Sequence, residues 1–408
     1  CMVFGVAIPL SFLASALFIV VVGGYDPSFL FPYGFSKLNT VLLLTIPLFV
    51  LAGEIMDKGG IGEKLIGTVE KLAGKKKGVL GVVTVVSCAV FGAISGSASA
   101  TITCIGGIMA PRLKENGYDR GFIGALISNA GLLGQMIPPS CLMILYAWVS
   151  NQSVLACFLA TVLPGIVLVI LFSLLNLSYA KKNTNISLIT APTVAKEQGR
   201  KKGNSVIPAL IMPVLILGTI YAGILTPTES AAISVVYAIP VGMFYYKSIR
   251  GKDLKNAFIS AAKTSGVIMI MMFSVQILLY VMEQLPQLIL NLLYSISTNP
   301  TIILIVVNIF MIFVGMLMDD VSGVLLCTTL LLPVMNEIGV SPVHFAAIIG
   351  VNLGLGSITP PTAPMLYLGS RVANAPVAEM LGHTMKFIFL AWIPTLILTT
   401  YIPGLALF

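Results

Sequence analysis

The chain has 408 residues, of which 57% are hydrophobic and 9% charged, with a mean hydropathy of +1.02 and a net charge of +8. That much apolar surface exceeds what a soluble core absorbs, and repeated apolar runs of about twenty residues predict a polytopic all-α membrane protein. Two histidines (His344 and His383) and six cysteines scattered through apolar runs argue against a haem, a catalytic metal or a disulfide frame.

In chain order, 2–22 is apolar enough to cross, 23–37 reads as a Gly/Pro/Tyr loop, and 38–56 crosses again. The chain opens Cys1-Met2-Val3 with no initiator methionine at position 1, which reads as a trimmed end or as part of a longer or fused polypeptide, and no signal peptide is visible. Segment 61–73 carries apolar residues at helical spacing with one polar face, which fits a helix lying along the membrane surface. Segments 79–94 and 101–113 are each too short to cross comfortably and flank Ser95-Gly96-Ser97-Ala98-Ser99-Ala100. They predict a re-entrant helical hairpin, 79–113, with a small polar tip.

The next run, 121–148, is long enough to span but is broken by Gly134, Pro138 and Pro139. Proline supplies no backbone N–H, and glycine tolerates non-helical backbone. In hydrocarbon the carbonyls freed this way must face protein or a polar cavity. Segment 154–179 then crosses, 181–205 is a hydrophilic linker, 207–225 and 226–246 cross and return, and 247–255 is a basic loop. Thr226-Pro227-Thr228-Glu229 has the N-cap, N1 and N3 pattern of a capping box. Segment 257–282 crosses, and 285–296 is a second surface-type helix. A second hairpin, 302–335, has Asp319 and Asp320 at its tip; a second broken helix, 343–369, is interrupted at Gly356, Pro360 and Pro361; and a last span starts at Met385.

The sequence repeats itself at a single constant offset, which maps Pro111 on Pro333, Gly117 on Gly339, Gly134 on Gly356, Pro138-Pro139 on Pro360-Pro361, and one surface helix on the other. Five crossings separate the copies when each hairpin is counted as re-entrant, and an odd number inverts the second copy in the membrane. The domains are therefore a first repeat over 1–180, a cytoplasmic linker over 181–205, and a second repeat over 206–408. Charge placement tests this independently: with 58–78, 112–120, 181–202 and 247–255 cytoplasmic, these loops and Lys263 hold twenty of the twenty-three Lys and Arg. The positive charge thus follows from topology and implies no nucleic acid.

Two interrupted helices at matching places in two halves point to a transporter's binding site. Hydroxyls of 95–101 and carbonyls freed at 134–139 suit Na⁺, and half-helix N-termini favour an anion. Asp319, Asp320, Ser322, Asn352 and 356–359 build the second copy; a carboxylate at that depth costs roughly 2.5–3.5 kcal/mol unless paired or near a cation. Alone, the small-residue tip reads equally as close helix packing and the Pro-Pro pairs as kinks; their duplication favours sites. One of the two aspartates reads as a helix cap while the other meets an ion. His344 reads as an exposed loop or helix-start residue. Glu54 and Gln276, related by the same offset, are polar helix contacts or site residues.

The stretches GILTPTESAAISVVYAIPVG (223–242), SGSASAT (95–101), GYDRGFIGALISNAGLLGQMIPPSCLMILYA (117–147) and GLGSITPPTAPMLYLGS (354–370) resemble the large membrane subunit of the tripartite ATP-independent periplasmic (TRAP) transporters. The similarity runs over essentially the whole chain. It implies an inverted-repeat, elevator-type secondary transporter of the ion-transporter superfamily in the bacterial inner membrane. It also implies Na⁺-driven uptake of an organic acid such as a C4-dicarboxylate, 2-oxo acid or sialic acid. A small membrane subunit, separate or fused, and a periplasmic substrate-binding protein are the implied partners, with no organic cofactor. By position, the resemblance gives one Na⁺ site to Ser95, Gly96, Ser97, Gly134 and Ile137, and the other to Asp319, Asp320, Ser322, Gly356, Ser357 and Thr359. Ser97, Ser99, Gln135, Ser140, Ser322 and Thr362 become the substrate contacts. No Arg or Lys falls in either tip or break, so a carboxylate is left to amides, hydroxyls, helix N-termini and Na⁺, or to Arg371 reaching in. The hairpins and broken helices would move against a scaffold of outer helices, with the two surface helices as connecting arms. A stand-alone Na⁺-coupled anion carrier or Na⁺/H⁺ antiporter of the same superfamily is the alternative. No clustered metal ligands, Ser/His/Asp set or sizeable soluble domain suggests an enzyme.

Overall fold

The structure, a computed structural model, describes residues 6–24, 26–74, 76–186, 205, 207–282 and 285–407. All regular structure among these residues is helical. The first half comprises α1 (Ile8–Gly23), α2 (Leu30–Leu38), α3 (Thr45–Lys58), α4 (Ile61–Ala73), α5 (Val79–Ser95), α6 (Ala98–Glu115), α7 (Arg120–Gly131), α8 (Leu133–Met136), α9 (Cys141–Ser150) and α10 (Val154–Lys182). The second comprises α11 (Ile207–Tyr221), α12 (Pro227–Pro240), α13 (Gly251–Val281), α14 (Leu285–Ile296), α15 (Pro300–Leu317), α16 (Asp320–Glu337), α17 (Pro342–Ser357), α18 (Pro364–Ala373), α19 (Val377–Phe387) and α20 (Ile393–Tyr401). The middle of the expected linker, 187–204, lies outside the described residues.

Among the described residues, four helical stretches are long and apolar enough to cross a membrane: Val154–Lys182, Gly251–Val281, Pro300–Leu317 and Val377–Tyr401. Two bent pairs raise the number to six, Pro27–Leu38 with Val41–Lys58 at 66° and Arg120–Met136 with Cys141–Ser150 at 44°. The expected short first arm of the second hairpin is thus an 18-residue helix whose length alone permits crossing.

Three expectations are corrected. Part of 23–37 is helix α2, not loop. Pro32 sits in its first turn, where no N–H is needed, and Gly34 lets Phe273 of α13 approach, since a Cβ there would lie 2.7 Å from the Phe273 ring. The last span begins at Val377, not Met385; Glu379, His383 and Lys386 mask its start in a hydropathy reading, although Met380 and Phe387 are buried. His344 does open α17, but it is buried, with Nε2 2.7 Å from the Thr399 carbonyl. The capping box is present as expected: Thr226 Oγ1 accepts from Glu229 N, and Glu229 accepts from Thr226 N at 2.7 Å.

The helices form two layers. In the outer one, α3 packs on α12 and α13, and α1 and α2 pack on α13. Thr45 Oγ1 lies 2.7 Å from Thr228 Oγ1, and Ser260 Oγ donates to Glu54 at 2.8 Å, which makes Glu54 a polar contact between α3 and α13. In the inner layer, α5 to α9 pack with α15 to α20 around α10. There, Arg120 at the start of α7 pairs with Glu379 in the first turn of α19, which follows α18, and Tyr146 near the end of α9 donates to the Pro342 carbonyl at the start of α17. The two broken helices therefore run antiparallel.

Helix α4 buries Leu65, Ile66 and Glu70 against α5 and α6. Arg112 of α6 holds Glu70 through two hydrogen bonds of 2.8 and 2.9 Å, with side chains 12% and 7% exposed. Removing one partner of a buried pair strands the other charge at a cost of about 3–5 kcal/mol. Glu70→Ala is therefore expected to lower the melting temperature in detergent markedly, and Glu70→Leu with Arg112→Met to recover most of the loss.

Candidate functional site

The first tip is built by the backbone change between two helices. Gly96 takes φ +62° after α5, and Ser97, in extended conformation, caps α6 by accepting from Ala100 N. Ser97 Oγ lies 3.1 Å from Ser99 Oγ, the Ser97 carbonyl accepts from Thr101 Oγ1 at 2.8 Å, and Ser95 Oγ lies 3.3 Å from Thr101 Oγ1. Several hydroxyls and a carbonyl thus crowd one turn.

The break lies directly against this tip. Pro138 and Pro139 withdraw the two N–H groups that a continuous helix would offer the Gly134 and Gln135 carbonyls. Ser140 Oγ replaces one of them, donating to the Gln135 carbonyl at 2.6 Å while capping α9, and Ile137 turns the chain into extended conformation. Cys141 N donates to the Gly96 carbonyl at 3.3 Å, tying break to tip. A Cβ on Gly134 would strike Thr101 Oγ1 and lie 2.7 Å from the Ser97 carbonyl; one on Gly92 of α5 would strike the Gly134 backbone. Only glycine fits at these contacts.

The second half repeats the plan with different groups. Ser97 and Asp319, related by the repeat offset, are both N-caps of the second hairpin arm, and Asp119 and Ser341 both cap the broken helix. Asp319 accepts from Val321 N and Ser322 N at 3.1 and 3.3 Å and from Ser322 Oγ, so it is a structural cap. Asp320 instead reaches the break and accepts from Ser357 Oγ. Pro360 and Pro361 free the Gly356 and Ser357 carbonyls; Thr359 N donates to the first at 2.9 Å, and Thr362 Oγ1 donates to the Met316 carbonyl of the hairpin. A Cβ on Gly356 would lie 2.5 Å from Gly315 Cα. Both breaks contain a cis Pro-Pro bond.

Between the breaks sits Gln135, 4% exposed, its amide nitrogen without a hydrogen-bond partner and near Gly354 of α17. Trp392 packs on Gly354 and donates to Asn129 Oδ1 at 2.9 Å, bridging the two broken helices. Asn352 donates to Asn308, leaving its own oxygen unpartnered. Of the expected substrate contacts, Ser99 and Thr362 are exposed and Ser97 half-buried, whereas Ser140, Ser322 and Gln135 are buried. The N-termini of α6, α9, α16 and α18 all lie at tips or breaks, placing positive dipole ends there. Among the described residues no three His, Cys, Asp or Glu side chains gather, so the oxygens on offer are mainly hydroxyls and carbonyls.

The family described as tripartite ATP-independent periplasmic transporter, DctM component, matches residues 1–405. The chain belongs to this family. It is 31% identical to a C4-dicarboxylate TRAP transporter large permease of Pseudomonas aeruginosa, covering 90% of this chain and 85% of that one. It is 31% identical to a sialic acid large permease of Vibrio cholerae, covering 83% and 79%. It is 30% identical to an isethionate TRAP permease named DctMQ from Oleidesulfovibrio alaskensis; all of this chain aligns, but it spans only 64% of that relative's length. These relatives are permeases, in keeping with a non-enzyme. The YdaH transporter of Alcanivorax borkumensis shares the fold at a TM-score of 0.68 and 12% identity, covering 95% of this chain and 88% of that one.

In this DctM component the sequence reading missed Gly92 and Gly315, the glycines that receive the breaks, and Trp392, which joins them. Overpacking costs about 1–3 kcal/mol, and about 1.4 kcal/mol is tenfold in an equilibrium. Gly134→Ala and Gly356→Ala are therefore each expected to cut solute uptake by about tenfold or more with membrane insertion intact. Gly218→Ala on α11, where a Cβ meets open space, is the control and should leave uptake unchanged.

Proposed function

We propose that this subunit is a secondary transporter permease of the bacterial inner membrane that couples inward Na⁺ movement to uptake of an organic anion. The observation that carries the reading is the duplicated contact of a capped hairpin tip with a proline-opened helix, which gathers hydroxyl and carbonyl oxygens at each contact. Na⁺ would be held as cargo by the oxygens of Ser95, Ser97, Gly134 and Ile137 with Gly96 shaping the turn. A second ion would sit among Asp320, Ser322, Gly356, Ser357 and Thr359, with Asp319 fixing the tip. The substrate would lie between, within reach of Ser97, Ser99 and Thr362, with Ser140, Ser322 and Gln135 behind them. The relatives' names give C4-dicarboxylates, sialic acid and isethionate; all are small anions bearing a carboxylate or sulfonate.

The antiparallel broken helices and the matching caps of the two halves support two inverted repeats, with the hairpins re-entrant. The inner layer would then move as an elevator against α1–α3 and α11–α13, with α4 and α14 as arms. Each net positive charge carried inward gains about 2.3 kcal/mol per 100 mV, so a Na⁺ excess over substrate charge makes uptake electrogenic. A periplasmic binding protein would deliver the solute, and a small membrane subunit, separate or fused, would complete the permease. A stand-alone Na⁺-coupled carrier of the same superfamily is the competing reading.

Uptake of labelled succinate, sialic acid and isethionate into proteoliposomes decides between them. The assay holds this subunit and its small partner, with and without a Na⁺ gradient and the cognate binding protein. Uptake requiring both is expected; uptake requiring Na⁺ alone assigns the stand-alone reading. Pro138→Ala with Pro139→Ala restores both missing N–H donors and is expected to abolish ion-dependent uptake while leaving insertion normal; unchanged uptake removes the break from the site.

A further inference from the structure

A cleft of about 320 Å³ opens on α18, lined by Pro364, Tyr367, Leu368 and Arg371. These positions fall on one face of the helix, at spacings of three and four. The cleft starts one turn beyond the second break, where Thr362 is exposed, and ends at Arg371 in the last turn of α18. Helix α6 flanks it: a Cβ on Gly106 would lie 3.0 Å from Val372 Cγ1. On α6 the exposed residues Ser99, Thr103 and Gly107 recur every fourth position, a stripe of small and hydroxyl side chains leading away from the first tip. Both helices leave the breaks toward the same side, because the chain just after α6 meets the chain just after α18, with Gly121 against the Glu379 carbonyl and Arg120 paired to Glu379. That side carries Arg112, Lys114 and Arg120, the cytoplasmic signature.

Arginines elsewhere in this inner layer are neutralised, Arg112 by Glu70 and Arg120 by Glu379. Arg371 is exposed and has no acidic partner among the described residues. A guanidinium offers a planar fork of donors matched to carboxylate or sulfonate oxygens. Tyr367, half exposed one turn nearer the break, adds a hydroxyl, and Leu368 and Pro364 give an apolar wall.

We propose that this cleft is an anion subsite on the cytoplasmic release path, where Arg371 and Tyr367 receive the carboxylate or sulfonate of a substrate leaving the breaks. The assignment rests on reading the subunit as an organic-anion carrier. It gives the transporter a cation outside the binding site proper, so that the anion is drawn off the tips without a fixed positive charge holding it between them. The opposing possibility is that Arg371 snorkels to lipid phosphates at the interface.

The test is charge-selective labelling of Tyr367→Cys in the assembled permease, with the unsubstituted chain as blank for the native cysteines. Two methanethiosulfonates are compared, one carrying a sulfonate and one a trimethylammonium group, applied from the cytoplasmic side. The anionic-to-cationic rate ratio is expected to fall about tenfold when Arg371→Gln is added and to persist with Arg371→Lys. Isethionate or succinate should slow the sulfonate reagent with Arg371 present and not in Arg371→Gln. An unchanged ratio in Arg371→Gln overturns the proposal. Slowing by phosphatidylglycerol in the bilayer but by neither free anion assigns the cleft to lipid and also overturns it. Labelling requires no Na⁺ gradient or binding protein, so its outcome is separate from that of the uptake assay.

Discussion

Backbone touching backbone is the constraint on which this structure depends. Gly92 meets Gly134 in one half, and Gly315 meets Gly356 in the other, at separations that leave no room for a side chain. Each contact presses a hairpin arm onto a helix at the residue whose carbonyl the Pro-Pro pair sets free. The tip oxygens and the break oxygens are thereby placed together, and in the second half the bonds of Ser357 to Asp320 and of Thr362 to the Met316 carbonyl reinforce the placement. Small residues serve this purpose in lipid because close approach, and not exclusion of water, drives helix association there.

The interrupted backbone must then be accounted for group by group, since hydrocarbon supplies no donors. Hydroxyls do much of this: Ser140 for the Gln135 carbonyl, Thr362 for the Met316 carbonyl, Thr359 back to Leu355 at 2.7 Å. Each of these bonds also fixes a side chain beside the break. Beside the breaks, the Gln135 amide nitrogen and the Asn352 oxygen are buried side-chain atoms without a hydrogen-bond partner. Trp392 keeps that region rigid by packing on one broken helix while bonding the other.

The sequence carried the plan better than the details. Helix caps, proline pairs and the constant repeat offset are local or strictly periodic, so a cap at the Asp319-Asp320 pair, the capping box at Thr226 and the bounds of α4 were legible. The receiving glycines were not: Gly92 and Gly315 fall one position out of register with the other matched pairs, which puts the first hairpin arm out of phase near its tip. Helix α2 was hidden by Pro32 and Gly34, which look like breakers until α13 is seen packed on Gly34. That one of Asp319 and Asp320 caps a helix was anticipated, but which of them does so depended on geometry. His344 was misjudged as exposed because its partner, the Thr399 carbonyl, lies 55 residues away.

Many of the long-range side-chain bonds stay within one layer. Thr45 with Thr228, Glu54 with Ser260, and Ser248 with the Gly59 carbonyl at 2.6 Å stay within the outer helices and their loops. Arg120 with Glu379, Tyr146 with Pro342, Trp392 with Asn129 and Asn352 with Asn308 stay within the inner ones. Where the tips meet the outer layer, the contacts are of another kind. Gly53 of α3 faces Ser95, where a Cβ would lie 3.3 Å from its Cα, and the sulfur of Met271 on α13 lies 3.0 Å from Ser322 Oγ. A bare glycine and a polarizable thioether adapt to a shifting neighbour at little energetic cost. The direct bonds of these pairs, between oxygen and nitrogen groups, lie inside each layer, and the tip of the second hairpin reaches the outer layer through a weaker hydrogen bond to sulfur. The outer and inner helices thus each carry their own set of long-range bonds, and the tips touch the outer helices through a glycine at Ser95 and a thioether at Ser322.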